Sequence, residues 1–223
     1  ALKDVTRGVL SNPNCEFELN FVPLHTLAQF AGAPVSDPAR RDPSDDASRI
    51  GDRRSAYSPA VAWQRALADW LPHFTSLAPT VITHADVELL GDCFHLPYAQ
   101  GPRSRRWLAD FQTLLATPPA RWGATERRFR ATARAIQQLF DQLTALTNRD
   151  LLHALYRHLW ELKEEVILLN RCLDWVKTNP PAGEQCFSAE HRPGTYRGGL
   201  VAELQRRLPM TAEGGFHQPP KNS

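Results

Sequence analysis

The chain has 223 residues, of which 42% are hydrophobic and 22% are charged, and its formal net charge is +2. These values are typical of a globular domain and exclude a disordered or fibrous chain as a whole. The small charge argues against a nucleic-acid partner or an anionic membrane surface, and no apolar run approaches the ~20 residues of a membrane span.

The first segment predicts a strand, a loop and a helix. Val9 and Leu10 close a short strand, residues 11–15 form a loop rich in Asn and Pro, and residues 15–30 have helical spacing. Pro23 is expected to distort or interrupt that helix. One strand and one helix cannot bury a core, so we expect this piece to be the end of a larger strand-helix fold that begins before Ala1.

Residues 36–54 carry five Asp and five Arg, with Ile50 as the only large apolar residue. Such a segment cannot bury enough surface to order itself, so we predict a flexible linker.

Three helix starts follow. Ser58 precedes a proline, Thr83 precedes Asp86 by three residues, and Gly101 precedes Pro102. Each pattern is typical of a helix N-terminus.

The strongest pattern is a pair of apolar stripes over residues 125–147 and 148–177. Asn148 predicts the N-cap of the second helix, and a turn this short forces an antiparallel hairpin with facing stripes. The stripe residues step by three and four: Phe129, Ala133, Ile136, Phe140, Leu143 and Thr147, then Leu152, Leu155, Leu159, Leu162, Val166, Leu169, Leu173 and Val176.

A loop over residues 179–195 and a last helix over 200–208 complete the pattern, and a further linker follows from residue 211. No strand pattern occurs after residue 31. We therefore predict an all-α helical bundle with an N-terminal strand-loop-helix remnant of an α/β barrel.

Catalytic and metal chemistry have little support in the residues. His153 and His158 do not share a helix face, and the four cysteines lack the close spacing of a zinc site. Cys93 and Cys172 fit buried free thiols of a reducing compartment better than disulfides. Glu161, Glu164 and Glu165 fit a solvated helix face better than an acid-base pair. We expect no catalytic residue, metal ligand or cofactor in this chain.

Two features are candidate binding residues. Asn12 follows the predicted strand, where ligand-binding side chains are common, although an isolated Asn-Pro is usually a turn. Tyr156 and Trp160 lie four apart and off the apolar stripe. They either pack on the Trp63 helix or the Trp107 helix, or form a partner surface.

The separated motifs occur in an order that resembles the animal O-GlcNAcases of the hyaluronidase-related glycoside hydrolase family. Residues 10–21 and 24–27 resemble the end of the family's catalytic barrel. The resemblance to the family's helical stalk lies in residues 57–59, 96–98, 101–102, 196–200 and 208–209. The likeness covers nearly the whole chain outside residues 33–55.

The resemblance implies a hydrolase that removes N-acetylglucosamine from Ser and Thr of nuclear and cytoplasmic proteins. The sugar's 2-acetamido group is then the nucleophile, an oxazoline forms, and two adjacent aspartates act as acid and base. The resemblance places that pair in a barrel upstream of Ala1, so Asp4, Asp45 and Asp46 are not those residues, and we expect this chain alone to be inactive.

The resemblance also implies roles for single residues. Asn12 matches an asparagine that hydrogen-bonds sugar hydroxyls, and Trp160 matches a stalk tryptophan that helps line the substrate-peptide groove. Gly194 stands where the family has another tryptophan, which is a departure from the pattern. A homodimer is implied, in which residues 196–208 are exchanged between subunits.

We accordingly predict four parts. Residues 1–32 end the barrel, 33–55 form a linker, 56–209 form the dimerising stalk, and 210–223 form a linker to a downstream domain, which the family implies to be acetyltransferase-like. The alternative hypothesis is a stand-alone helical interaction module without an enzymatic role.

Overall fold

In the computed structural model, the described residues are 11, 13, 16–33, 57–77, 81–94, 100–179, 200–208, 210, 211, 215 and 216. Within these ranges the chain forms α-helices and short 3-10 turns, with two isolated β-bridges and no strand. The predicted all-α bundle is confirmed. The helices are, in chain order, α1 (Phe21–Gly32), α2 (Pro59–Trp70), α3 (His84–Cys93), α4 (Pro102–Leu115), α5 (Gly123–Thr144), α6 (Arg149–Thr178) and α7 (Leu200–Arg207).

Several predictions concern other residues. The strand at Val9 and Leu10 and most of the two linkers, over 33–55 and 210–223, lie outside the described residues, as does most of the loop over 179–195. The division of the chain into barrel end, linker, stalk and second linker therefore stays a prediction.

The chain separates into two compact units, Ala1–His73 and Phe74–Ser223. The first contains α1 and α2, and the second contains α3 to α7.

In the first unit, Pro23 occupies the third position of α1 and does not break it. A 3-10 turn over Phe17–Asn20 leads directly into the helix. The N–H groups of the first helical turn have no intrahelical acceptor, so a proline there costs no hydrogen bond. Our prediction that Pro23 distorts or interrupts the helix was wrong, because α1 begins just before it.

A polar chain joins α1 to α2. The amide nitrogen of Gln29 donates to His25 Nδ1 at 2.8 Å and to the Ala62 carbonyl at 3.2 Å. Because an amide nitrogen only donates, the ring proton of a neutral His25 lies on Nε2, which is 2.8 Å from Asp69. These contacts fix the register of the two helices.

The second unit is built on the hairpin of α5 and α6. Of the predicted stripe residues, all those from Phe129 to Leu143 and all eight from Leu152 to Val176 are buried. Asn148 caps α6 by accepting the Leu151 N–H at 3.2 Å, as predicted. Thr147 is the exception. It is exposed beyond the end of α5 and donates its N–H to the Thr75 carbonyl at 2.8 Å.

The predicted N-termini of α2 and α3 are confirmed. The Ser58 hydroxyl accepts the Val61 N–H, and Thr83 and Asp86 form a reciprocal capping box. These caps satisfy donors that the first turn leaves free.

The N-terminus of α4 is capped by a side chain from α3. The carboxylate of Asp92 accepts the N–H groups of Arg103 at 3.3 Å and Ser104 at 2.6 Å. A Cβ on Gly101 would lie 2.0 Å from Asp92 Oδ1, so only glycine leaves room for this cap. The corner between α3 and α4 therefore depends on the Asp92 carboxylate and on the lack of a side chain at Gly101.

Cys93 and Cys172 are buried free thiols, as predicted. Burial raises the pKa of each thiol to about 12, so both remain protonated and unreactive at neutral pH. Among the described helices, none is both long and apolar enough to cross a membrane.

We expect Leu169→Ala to lower the free energy of unfolding by about 2 to 5 kcal/mol, because the residue is fully buried in the hairpin and truncation leaves a cavity. Leu77→Ala is the matched control, since Leu77 is 88% exposed and loses little packing. Urea titrations followed by circular dichroism measure both. Equal losses would contradict the assignment of the hairpin as the core.

Candidate functional site

Tyr156 and Trp160 form one aromatic surface on α6. Their ring centroids are 6.0 Å apart with an interplanar angle of 27°, and the two residues are 45% and 44% exposed. Both lie away from the buried stripe of the same helix. The structure thus brings these two predicted site residues together and leaves their outer faces accessible.

Phe140 of α5 supports the pair from below. Its ring centroid is 6.3 Å from that of Tyr156 and 6.0 Å from that of Trp160, in tilted and edge-on arrangements. Phe140 itself is buried in the hairpin. The two exposed rings are therefore held at fixed positions by the core, which reduces the entropy lost when a ligand binds.

The sequence also allowed this pair to pack on the Trp63 helix or the Trp107 helix. The aromatic partner in the structure is Phe140, and Trp107 stacks instead on Phe129, at 5.2 Å. Both Tyr156 and Trp160 remain substantially exposed. A binding role for the pair stays a prediction.

Lys163 adds a positive charge beside the aromatic rings. Its Nζ lies 4.3 Å from the Phe140 ring centroid and 5.3 Å from that of Trp160. An ammonium group at these distances interacts with the ring faces and still donates hydrogen bonds. We name Phe140, Tyr156, Trp160 and Lys163 the aromatic platform. It offers two flat apolar faces beside a cation, a combination that suits an extended peptide.

Sequence reasoning assigned Phe140 only to the stripe and did not single out Lys163. The spacing contained a signal, because residues three apart on a helix are neighbours and Lys163 follows Trp160 by three. The position of Phe140 at the margin of the hairpin, between core and surface, required the three-dimensional packing.

The other predicted residues are placed differently. Asn12 and Gly194 lie outside the described residues. His158 contacts the Phe94 ring at 5.9 Å, and His153 is exposed. The described residues contain no group of three His, Cys, Asp or Glu side chains arranged to hold a metal ion.

Glu165 corrects the prediction of a solvated acidic face. It is buried between α6 and α7, where Oε1 accepts the Gln205 amide at 2.8 Å and Oε2 finds no donor among the described residues. Burial raises the pKa of Glu165, and the nearby charges of Glu161 and Glu164 raise it further, against the lowering effect of Gln205.

Comparison with known proteins defines the relationship. No model of a protein family matches the chain. The chain is 28% identical over 154 residues to protein O-GlcNAcase of Rattus norvegicus, and equally to that of Mus musculus. In each case the match covers 62% of this chain.

The chain contains an O-GlcNAcase-like region. It covers 17% of the length of the rat and mouse proteins. The resemblance drawn from separated motifs is thereby confirmed for part of the chain.

We expect the stability of the protein to fall as pH rises above 4.5, the ordinary pKa of the Glu165 carboxyl, toward its higher folded value. In that interval the folded state binds a proton that the unfolded state has released, so each increase in pH favours unfolding. Glu165→Gln should flatten this dependence, because a neutral amide does not titrate.

Glu164→Gln, on the same helix, removes only one of the two neighbouring charges that raise the pKa of Glu165, so it should narrow the pH interval without flattening the dependence. Thermal unfolding at a series of pH values measures both variants against the parent. A Glu165→Gln profile parallel to that of the parent would show that Glu165 is not the titrating group.

Proposed function

We propose that this chain is the stalk and the end of the catalytic barrel of a protein O-GlcNAcase. The full protein would remove N-acetylglucosamine from Ser and Thr of nuclear and cytoplasmic proteins. The similarity to the rat and mouse enzymes is the observation that carries this proposal, and the aromatic platform offers a surface for the substrate peptide.

The platform would bind the peptide that bears the sugar. Tyr156 and Trp160 offer area without the entropic cost of flexible side chains, because Phe140 already fixes their positions. Lys163 would meet backbone carbonyls or acidic side chains of the peptide. Such contacts are tolerant of sequence, as an enzyme with many protein substrates requires.

Asn12 would bind the sugar itself, because its amide both donates and accepts hydrogen bonds and so matches adjacent hydroxyls. The reaction would use the sugar's own acetamido group as nucleophile, and we propose no catalytic residue and no cofactor from this chain.

We further propose a homodimer in which residues 196–208 are exchanged. In the single chain, α7 packs against α6 through apolar residues and the Gln205–Glu165 hydrogen bond. An exchanged dimer would make the same contacts with the partner's α7, so exchange requires no new interface chemistry.

Trp160→Ala in the full protein should lower kcat/KM on an O-GlcNAc peptide by roughly tenfold, the loss expected for an exposed aromatic anchor. Hydrolysis of a small aryl N-acetylglucosaminide should be unchanged, because that substrate has no peptide. Trp160→Phe is the matched control and should retain most of the activity, since it keeps a ring above Phe140.

Asn12→Ala should impair both substrates, because the sugar is common to them. Equal losses on the two substrates with Trp160→Ala would remove the peptide-binding role from the platform.

The dimer is tested by light scattering at micromolar concentration, where we expect about twice the 25.1 kDa mass of one chain. To test exchange, Glu165→Cys and Gln205→Cys are combined and treated with a short bifunctional maleimide. Exchange predicts cross-linked dimers, and α7 docked on its own chain predicts cross-linked monomers. Each single variant controls for reaction at the native cysteines.

The aromatic platform also fits the alternative of a stand-alone interaction module, since exposed Tyr and Trp are common anchors for proteins. The two functions differ in what Trp160→Ala affects. A module would lose a protein partner without any change in the release of N-acetylglucosamine by the full protein.

A further inference from the structure

A groove with a cationic lining, unlike the aromatic platform, lies between α4 and α5. It is a groove of about 310 Å³, with one wall completed by α3. Its lining combines an apolar floor with three arginines: Leu89, Arg103, Arg106, Trp107, Asp110, Arg128, Ala131, Thr132 and Ala135. We name it the arginine groove.

The floor of the groove is rigid. Trp107 is buried, stacks on Phe129 and donates its indole N–H to the Phe129 carbonyl at 3.1 Å. The small side chains of Ala131 and Ala135 on α5 leave the open space above it. A ligand entering the groove therefore meets a preformed surface.

Arg128 is oriented by a buried carboxylate. Its Nε and Nη2 donate to the two oxygens of Asp110, at 2.7 and 2.5 Å. This pairing uses one edge of the guanidinium and leaves Nη1 with its donors on the other side. Because Asp110 is buried and Arg128 is partly exposed, the ion pair positions a cation at the rim.

The two arginines of α4 that line the groove differ in their hydrogen bonds and ion pairs. Arg103 donates to Glu88 at 2.8 Å, whereas Arg106 makes no ion pair or hydrogen bond within the part of the chain that the structure describes. Among the lining residues three positive charges face one negative charge. Arg106 is the cation with its full donor set available.

We infer that the arginine groove binds an anionic side chain of a peptide, a phosphoryl or carboxylate group, with Arg106 as its principal ligand and Arg128 as the second. A planar guanidinium matches either group through two parallel N–H donors. The apolar floor would hold the residues that flank the anion. This inference is independent of the proposed glycoside hydrolase function.

A peptide fits the groove better than a nucleic acid does. Nucleic-acid binding relies on an extended basic surface that neutralises many phosphates, and here Arg103 and Arg128 already have acidic partners. The groove is a local site for one anion beside apolar surface.

The test titrates the 223-residue chain with a fluorescent peptide that carries one phosphoserine. The same peptide with aspartate and with unmodified serine measures which anion is preferred. Saturable binding of either anionic peptide, stronger than that of the serine peptide, is expected. Inorganic phosphate should compete only weakly, because it lacks contacts with the floor.

Arg106→Gln should weaken binding of the anionic peptide about tenfold, as expected when a charged hydrogen bond is removed. Arg105→Gln is the matched control, because Arg105 is an exposed neighbour on α4 that does not line the groove, and it should change the affinity by less than about twofold. Thermal unfolding confirms that both variants fold.

Three results would overturn the inference. The first is an equal loss of affinity with Arg105→Gln and Arg106→Gln. The second is a serine peptide that binds as tightly as the anionic peptides. The third is a single-stranded oligonucleotide that binds more tightly than either anionic peptide and depends on Arg106 in the same way.

Discussion

The second unit depends on the packing of α5 against α6. The buried stripes of the two helices supply its longest continuous apolar contact, and α4 joins it where Trp107 and Phe111 stack on Phe129. Burial of each large aliphatic or aromatic side chain contributes about 1.5 to 3 kcal/mol before the loss of conformational entropy. Both candidate binding surfaces rest on this hairpin, so their geometry is set by the core and not by loops.

Helix α5 serves the two surfaces from different sides. Phe140 supports the exposed rings of the aromatic platform, while Arg128, Ala131 and Ala135 line the arginine groove. Ionic contacts lock the helix to α6 near its N-terminal end, where Arg130 bonds Asp174 and Lys177 bonds Glu126. Partial burial alone would raise the pKa of Glu126, but hydrogen bonds from Lys177 and Arg130 to this carboxylate outweigh it and lower the pKa. The helix is thus a rigid element that presents apolar aromatic chemistry at one place and cationic chemistry at another.

Local patterns predicted the helices well because caps and apolar periodicity act over a few residues. The caps at Ser58, Thr83 and Asn148 and nearly the whole double stripe were readable in this way. Other contacts between elements were not predicted. Glu165 belongs to an acidic run, yet α7 covers it, and Phe140, which periodicity correctly assigned to the core, also supports the Tyr156–Trp160 pair. The arginine groove joins side chains of three helices, which no single segment of sequence contains.

The corner between α3 and α4 has a consequence for how such proteins diverge. The Asp92 carboxylate fills the volume that a side chain at Gly101 would occupy, and it also accepts the N–H groups that open α4. Substitution of Gly101 alone causes a steric clash with Asp92. Substitution of Asp92 alone leaves the N–H groups of Arg103 and Ser104 without this acceptor. A side chain can therefore replace Gly101 only where Asp92 changes as well, which makes the two sites a linked pair for evolutionary comparison.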